Sequence, residues 1–318
     1  MIAFGPVPSR RLGRSLGINN IPPKVCTYSC IYCQVGRTRE MRVERQPYYR
    51  PDRILREVEA KIAKAREAGE PIDYLTFVPD GEPTLDLLLG REIELLRPLG
   101  IKIAVITNAS LCFRPDVSEA LSQADWVSLK VDSAREAVWR KTNRPHRRLL
   151  LAAVLEGMVE FARGYRGELT TETMLVGGVN DGQRDAAEVA AFLASLRPAR
   201  AYLAVPTRPP AEKGVSPPGP DVLNRYYQTL SAHLDAVELL VGYEGNAFAF
   251  TGCVAEDILS ITAVHPMRED AVRDFLARGN ADWSVIRDLV DEGRLVETRY
   301  DGHRFYLRRA RTASRAAT

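Results

Sequence analysis

Three of the five cysteines in this 318-residue chain lie within one short segment. Cys26, Cys30 and Cys33 stand in VCTYSCIYCQ (25–34) with the spacing C-x3-C-x2-C. A structural zinc site needs four ligands, usually as two separated pairs, and the nearest histidine in sequence is His146. A cubane iron–sulfur cluster binds one thiolate per iron, so three cysteines leave one iron open to a substrate or cofactor. The spacing therefore favours a cubane cluster over a zinc site.

The cysteine content also argues against a disulfide framework. The N-terminal segment MIAFGPVPSRRLGRS lacks the apolar core of a secretory signal, and no run of eighteen apolar residues is present to span a membrane. We therefore expect a cytoplasmic protein with reduced thiols and no membrane span. The net charge of +3 is too small to indicate a partner. Residues 294–318 contain seven arginines against two acids, which suits either a solvated surface or contact with phosphates.

Apolar segments alternate with helically spaced segments along most of the chain. Repeated strand–helix units predict an α/β fold with a parallel sheet, in which function collects at the carboxyl ends of the strands. The pattern alone does not distinguish an open doubly wound sheet from a full or partial barrel. The predicted strands cover 74–78, 101–107, 126–131, 169–176, 201–205 and 237–241. The predicted helices cover 52–68, 86–97, 115–123, 147–163, 183–196 and 221–234.

The spacing C-x3-C-aromatic-C, with Tyr32 in the aromatic position, resembles the radical S-adenosylmethionine (SAM) superfamily. A second match is DGEPTL (80–85), which follows the first strong strand after the cysteines. The resemblance implies a partial (β/α)6 barrel and a [4Fe-4S] cluster on Cys26, Cys30 and Cys33, with SAM on the fourth iron. Transfer of one electron from the reduced cluster would cleave SAM to a 5′-deoxyadenosyl radical, which abstracts hydrogen from a substrate.

The same resemblance assigns residues to SAM. Tyr32 should lie near the adenine, and Gly81 and Glu82 should hold the methionyl ammonium. A cationic amine needs acceptors, and a glycine permits close approach of the backbone. Pro83 and Thr84 complete this predicted cofactor-binding segment.

Polar residues at later strand ends are further candidates for binding SAM or substrate, with packing against neighbouring strands as the alternative. They are Asn108, Lys130, Asp132, Ser133, Thr173 and Asn180. In a regular strand Glu172 faces away from Thr171 and Thr173. Lys130 and Cys112 are the candidates for a catalytic role, Cys112 as a hydrogen donor or auxiliary ligand. Cys112 and Cys253 also suit the role of small buried hydrophobes.

A narrower resemblance is to the wyosine-synthase-related group of radical SAM proteins. It rests on the N-terminal segment through Thr38, on GEPTL, on GGVND and on PTRPPAE, and it covers roughly residues 4–245. The tRNA wyosine enzyme builds a tricyclic base with pyruvate and a lysine Schiff base. That enzyme has a second cluster on three further cysteines, whereas only Cys112 and Cys253 remain here. The six-proline segment 206–220 is either a stiff connection or a substrate-positioning loop.

The C-terminal pattern differs from the rest of the chain. Three helices are expected in AEDILSITAVHP (255–266), REDAVRDFLARGN (268–280) and WSVIRDLVDEG (283–293), the last with Asp282 as N-cap. Two alternating strands around Asp301–Gly302 predict a hairpin. This order is typical of a winged helix. We therefore predict a radical SAM core at 1–245, a winged-helix domain at 246–311 and a disordered tail at 312–318.

These features predict a radical SAM enzyme that modifies a macromolecular substrate, tRNA or a peptide, with flavodoxin or ferredoxin as electron donor. One alternative is a peptide- or protein-modifying enzyme whose winged helix binds a leader or partner. Another is an iron–sulfur redox sensor that binds DNA, although the third predicted C-terminal helix is acidic and suits DNA poorly.

Overall fold

The computed structural model describes residues 2–241, 248, 250, 252–262 and 266–309. Elements β1 to β13 and α1 to α10 are numbered along the chain. The strands are β1 Ala3–Ser9, β2 Gly13–Ile18, β3 Val25–Cys26, β4 Glu40–Met41, β5 Tyr74–Phe77, β6 Lys102–Thr107, β7 Trp126–Lys130, β8 Glu168–Met174, β9 Arg200–Ala204, β10 Val237–Leu240, β11 Met267–Arg268, β12 Leu295–Tyr300 and β13 His303–Arg308. The helices are α1 Pro51–Glu67, α2 Leu89–Leu96, α3 Pro115–Leu121, α4 Glu136–Asn143, α5 Leu151–Gly164, α6 Gln183–Leu196, α7 Pro220–Ser231, α8 Val254–Ile261, α9 Glu269–Arg278 and α10 Ser284–Asp291.

The main sheet has eight strands in the order β1-β2-β5-β6-β7-β8-β9-β10. Strands β2 and β5 to β10 run parallel, and β1 pairs with β2 antiparallel. The sheet is curled so that its two ends approach each other: Arg10 in the β1–β2 turn donates a hydrogen bond to the carbonyl of Val241 after β10 at 2.8 Å. All six predicted strands are present.

The N-terminal hairpin was not predicted. Its first strand contains Gly5, Pro6 and Pro8, residues that weigh against a strand in sequence but are tolerated at a sheet edge. A side chain at Gly17 in β2 is excluded sterically, because a Cβ there would lie 1.9 Å from the Phe4 ring. The hairpin therefore depends on tertiary packing that residue preferences do not reveal.

The helices between the parallel strands cover the sheet with amphipathic faces. In α1 the buried residues Ile54, Val58, Ile62 and Ala65 recur at helical spacing and join the main hydrophobic core. Fully burying such an aliphatic side chain contributes about 1.5–3 kcal/mol. Helix α4 was missed, and the predicted helix 147–163 begins at Leu151.

The C-terminal elements form their own small core around Ile258, Phe275 and Ile286. Strands β11, β13 and β12 make a three-stranded sheet in that order, and the predicted hairpin turns at Asp301. The first C-terminal helix ends at Ile261, while 263–265 lie outside the described residues. The tail 312–318 also lies outside them. The winged-helix assignment stays a prediction.

The N-cap of α10 is Trp283 and not Asp282 as predicted, although Asp282, one residue earlier, accepts the Ser284 amide on its Oδ1 at 2.7 Å. The six-proline segment 206–220 is a loop up to α7, and its Val215 packs against Ile31 of the cysteine segment. In the part of the chain that the structure describes, no helix is both long and apolar enough to cross a lipid bilayer.

Candidate functional site

A cavity of about 310 Å³ opens at the carboxyl ends of the parallel strands. Its wall includes residues from the cysteine segment, from the N-terminal turn and from the ends of β5 to β10. The lining includes Arg10, Arg11, Lys24, Cys26, Cys30, Tyr32, Cys33, Asp80, Gly81, Glu82, Asn108, Lys130, Glu172 and Arg208. The curled sheet therefore brings the cysteines and most of the predicted strand-end residues to one place.

All three cysteines of the motif face this cavity. Cys26 lies in β3, and Cys30 and Cys33 lie in the tight turns that follow, where the Cys33 amide donates to the Cys30 carbonyl at 3.2 Å. Two asparagine side chains point amide donors at the sulfurs: Asn108 Nδ2 lies 3.6 Å from Cys26 Sγ, and Asn143 Nδ2 lies 3.4 Å from Cys30 Sγ. Such donors stabilise thiolate charge.

Burial keeps the three thiols protonated until a metal binds. It raises the pKa of Cys26, Cys30 and Cys33, that of Cys30 to about 12. Among the described residues, no three His, Cys, Asp or Glu side chains are grouped so that they could hold a metal ion. A cubane cluster does not need three ligands around one metal ion, because each thiolate binds a different iron. Three thiols spread around one cavity suit such a cluster, and iron displaces their protons when it binds.

The Gly81–Glu82 segment packs directly on the first cysteine strand. A Cβ at Gly81 would lie 1.9 Å from the Val25 carbonyl oxygen, and the Glu82 amide donates to that same oxygen at 3.2 Å. Only glycine permits this approach. The segment is therefore fixed against the residue before Cys26, as a cofactor cradle requires.

Glu82 is buried, and its carboxylate already has protein partners. Oε1 accepts from the Thr84 amide at 3.0 Å and from the hydroxyls of Thr84 and Thr107, both at 2.6 Å. Oε2 accepts from the Asn108 amide at 2.7 Å. Glu82 thus ties the segment to β6. Thr84 and Pro83 lie buried beneath the loop and do not line the cavity, contrary to the expectation that they contact the cofactor.

Tyr32 lines the cavity and leads to a buried polar network. Its hydroxyl donates to the Asp132 carboxylate, which also accepts from Asn143 Nδ2 at 2.6 Å and from the Met174 amide at 2.8 Å. Asp132 was expected to contact the cofactor, but it is not part of the cavity wall. It orients Tyr32 instead. Asn143 was missed because its helix, α4, was missed.

Three other predicted cofactor contacts are placed outside the cavity. Thr173 lies on the outward face of β8 and donates to the Val131 carbonyl at 2.7 Å. Ser133 Oγ accepts from the Arg135 amide at 3.0 Å, at the start of α4. Asn180 donates to the carbonyls of Asp132 and Met174, both at 2.9 Å. These side chains hold the loops together, which agrees with a role in packing and not in cofactor binding.

The predicted catalytic role of Cys112 does not agree with its position. Cys112 is buried in the main hydrophobic core and does not line the cavity, and burial raises the pKa of its thiol far above the ordinary value. Cys253, expected as a small buried hydrophobe, is exposed just before α8.

Lys130 reaches the cavity and pairs with Glu172 at 2.5 Å, and Arg11 pairs with the other oxygen of Glu172. Burial alone would lower the pKa of Lys130, but Glu172 and Asp132 outweigh it and raise that pKa. Burial alone would raise the pKa of Glu172, but Arg11 and Lys130 outweigh it and bring the pKa to about 2. Lys130 and Glu172 are therefore both charged at neutral pH.

Glu172, Arg11, Lys24 and Asp80 were not predicted as site residues. The period-two alternation of β8 correctly predicted that Glu172 and Thr173 lie on opposite faces of the strand. Thr173 was expected to face the cavity, but Glu172 faces it instead. Lys24 lies near Cys33 and Asp80, and burial raises the pKa of Asp80 to about 7. The parallel βα sheet is thus curled around a cavity that the three thiols line.

Comparisons with known proteins identify the family. A model of the radical SAM superfamily matches residues 20–190, more than half of the chain. A UPF0026 protein of Methanocaldococcus jannaschii is 48% identical over 309 residues, which cover 96% of each chain. The chain therefore belongs to the radical SAM superfamily, whose enzymes use a [4Fe-4S] cluster and SAM.

Solved structures confirm the partial-barrel fold. A radical SAM methyltransferase from Sphaerobacter thermophilus matches with a TM-score of 0.56 at 18% identity, over 71% of this chain and 66% of that chain, just under two thirds of its length. TYW1 with a lysine–pyruvate adduct bound matches with a TM-score of 0.55 at 16% identity, over 70% of this chain and 74% of that chain. At these identities the likeness shows the fold alone.

Proposed function

We propose that this enzyme reductively cleaves SAM at a [4Fe-4S] cluster held by Cys26, Cys30 and Cys33, and modifies a macromolecular substrate, with tRNA as the first candidate. The observation that carries the proposal is the meeting of the three thiols and the Gly81–Glu82 segment at one cavity. Cys26, Cys30 and Cys33 would hold the cluster, which would supply one electron for cleavage of the S–C5′ bond of SAM to methionine and the 5′-deoxyadenosyl radical.

The chain's own residues position these reactants. Asn108 and Asn143 donate toward the cysteine sulfurs, and Glu82 fixes the loop that approaches Val25. The Tyr32 ring, oriented by Asp132, offers an aromatic face for the adenine. Lys130 lies 5.0 Å from the centre of that ring. Because Lys130 is a cation paired with Glu172, it suits electrostatic contact with a reactant. It does not suit a role as a nucleophile, which requires a neutral amine.

Two features support a nucleic-acid substrate. A cleft in the C-terminal part is rich in basic side chains, which suit phosphates. Its lining residues are Arg268, Glu269, Asp270, Arg273, Arg299, Gly302, His303 and Arg304. The second feature is the set of motifs GEPTL, GGVND and PTRPPAE, which resemble those of the wyosine-synthase-related group. A one-electron donor of the flavodoxin or ferredoxin type completes the proposed cycle.

The second candidate is a peptide or protein substrate, favoured by the acidic residues Asp288, Asp291 and Glu292 at the end of α10. Photocrosslinking the reconstituted protein to separate pools of tRNA and of peptides distinguishes the two. Adducts with tRNA alone support the first candidate, and adducts with peptides alone support the second.

The test of the chemistry is SAM cleavage by the anaerobically reconstituted, reduced protein. We expect 5′-deoxyadenosine and methionine as products. Cys30→Ser should lower their formation at least ~100-fold because it removes a cluster ligand, whereas Cys253→Ser, at an exposed cysteine, should stay within about twofold. Failure of the unmodified protein to cleave SAM with its cluster intact would contradict the proposal.

A further inference from the structure

We propose that the surface formed by residues 36–44 and 143–148, the arginine face, is the docking site of an acidic protein that delivers single electrons to the cluster. The inference rests on the proposed function and deepens it by naming where the electron donor binds and what charge it carries. One electron passes from the reduced carrier, which is oxidised, to the cluster, which is reduced, and no bond forms or breaks.

The arginine face flanks the cysteine segment on two sides. On one side β4 pairs with β3, so that Met41 lies opposite Cys26, and the Arg42 amide donates to the Cys26 carbonyl at 3.2 Å. On the other side the Ser29 amide donates to the Asn143 carbonyl at 3.0 Å. Both parts of the face are therefore hydrogen-bonded directly to the segment that carries the proposed cluster ligands.

Met41 brings solvent close to the first of these cysteines. Its side chain is 37% exposed, and paired strands lie only about 4.8 Å apart. Electron transfer slows steeply with distance, so a redox group resting on Met41 would be one strand away from Cys26. Among the residues that the structure describes, the cavity wall includes Gly36 and Thr38 but neither Met41 nor any arginine of the face. A carrier docked here would leave the cavity open to SAM and substrate.

The face has more positive than negative charge. Its arginines are Arg37, Arg39, Arg42, Arg144, Arg147 and Arg148. Four of them pair with only three carboxylates, those of Glu40, Glu44 and Glu212. In the described part of the chain, Arg39 and Arg147 are exposed and form no ion pair. The surplus positive charge complements a partner whose surface is acidic.

An electron carrier fits this face better than RNA, the other anionic partner. Electron-transfer partners meet through small, weak interfaces that are steered by opposite charge, and both arginine and methionine are enriched at protein–protein contacts. An RNA substrate must instead bring a nucleoside to the cavity, whose wall these arginines do not join. The position of Met41 beside Cys26 has a direct use in electron transfer and none in binding a phosphate backbone.

The test measures reduction of the cluster in the loaded protein by stopped-flow spectroscopy. The reductants are a reduced flavodoxin, as the acidic carrier, and dithionite, as a small molecule that needs no docking site. At low ionic strength the double variant Arg39→Gln/Arg147→Gln should slow reduction by flavodoxin at least ~5-fold, because opposite charges steer association. Added salt should shrink this difference, and reduction by dithionite should stay within about twofold.

Arg163→Gln/Arg166→Gln is the matched control. It changes the net charge equally at exposed positions before the amino end of β8, and it should stay within about twofold with both reductants. Titration calorimetry of oxidised flavodoxin with the loaded protein gives a second readout, in which the Arg39→Gln/Arg147→Gln variant should bind more weakly than the control.

Two outcomes would overturn the inference. One is an unchanged rate with flavodoxin in Arg39→Gln/Arg147→Gln, and weaker tRNA binding by that variant would then assign the face to nucleic acid. The other is equal slowing with flavodoxin and dithionite, which would place the effect at the cluster and not at a docking surface. SAM cleavage by the unmodified protein with dithionite as reductant tests the proposed function separately, because it needs no carrier.

Discussion

At the scale of single residues, the three cysteines proposed as cluster ligands have polar neighbours that are not themselves proposed ligands. Asn143 is buried, and its amide nitrogen lies within hydrogen-bond distance of the Asp132 carboxylate, at 2.6 Å, and of Cys30 Sγ, at 3.4 Å. Hydrogen bonds to sulfur ligands are among the factors that set the reduction potential of a cluster. The donor stabilises the added negative charge of the reduced cluster more than the oxidised one. We therefore expect Asn143 to raise the reduction potential of the proposed cluster.

Replacing Asn143 with alanine should lower the midpoint potential of the cluster by roughly 50 mV, which corresponds to about 1 kcal/mol for one electron. The measurement is a redox titration followed by electron paramagnetic resonance of the reduced cluster. Asn224→Ala, at an exposed asparagine of α7, is the control and should leave the potential unchanged. An unchanged potential in Asn143→Ala with full iron content would refute the tuning role.

At the scale of elements, α2 carries an unusual buried acid next to the Gly81–Glu82 segment. Glu92 is fully buried, and within the described residues neither of its carboxylate oxygens has a hydrogen-bond donor. Burial and the neighbouring Asp86 raise the pKa of Glu92 well above its ordinary value. Asp86 ends the 3-10 turn Pro83–Leu85 that follows Glu82. The packing of α2 against this loop therefore requires the Glu92 carboxyl group to stay protonated.

This arrangement predicts a pH-dependent gain in stability for Glu92→Gln. Above pH 4.5 the unfolded chain releases a proton that the folded protein retains, so wild-type stability falls as pH rises toward the raised pKa. The neutral glutamine removes this dependence. We expect the variant to be about 2 kcal/mol more stable at pH 8, and the difference to vanish near pH 5.

Urea unfolding of both proteins from pH 5 to pH 9 measures this difference. Glu94→Gln, at an exposed position of the same helix that pairs with Arg91, should change stability by no more than about 0.5 kcal/mol. A gain that does not depend on pH would contradict the assignment of Glu92.

At the scale of the whole molecule, the N-terminal turn joins the two ends of the curled sheet. Leu12 packs inside the barrel, and Arg10 and Arg11 bond to residues after β10 and on β8. The first hairpin therefore helps close a sheet whose other end lies more than two hundred residues further along the chain. The same contacts place Arg10 and Arg11 at the cavity.

Leu12→Ala should destabilise the protein by about 2–5 kcal/mol, because it leaves a cavity at a tightly packed position. The free energy of unfolding in urea measures this loss. Leu150→Ala, at a side chain 63% exposed, should cost less than about 1 kcal/mol. A similar small cost for both variants would mean that the turn does not hold the barrel closed.

Much of the fold was predictable because it rests on local patterns. The six strands from β5 to β10 were found from near-continuous apolar runs, which mark strands covered on both faces. The β1–β2 hairpin was missed because glycines and prolines obscure its pattern, and β11 is only two residues long. Helix α4, with its polar sequence EAVWRKTN, gave no clear periodicity, and Asn143 was lost with it.

The sequence by itself indicated the cofactor chemistry, because Cys26, Cys30, Cys33 and the adjacent Tyr32 are close in the chain and their spacing is a local property. It also singled out Gly81 and Asn108, and both line the cavity. Only the tertiary structure decided that Glu172 and not Thr173 faces the cavity, that Cys112 lies in the core, and that Arg11 meets Lys130 across Glu172. Those facts depend on strand orientation and on the curl of the sheet, which arise from packing between residues far apart in sequence.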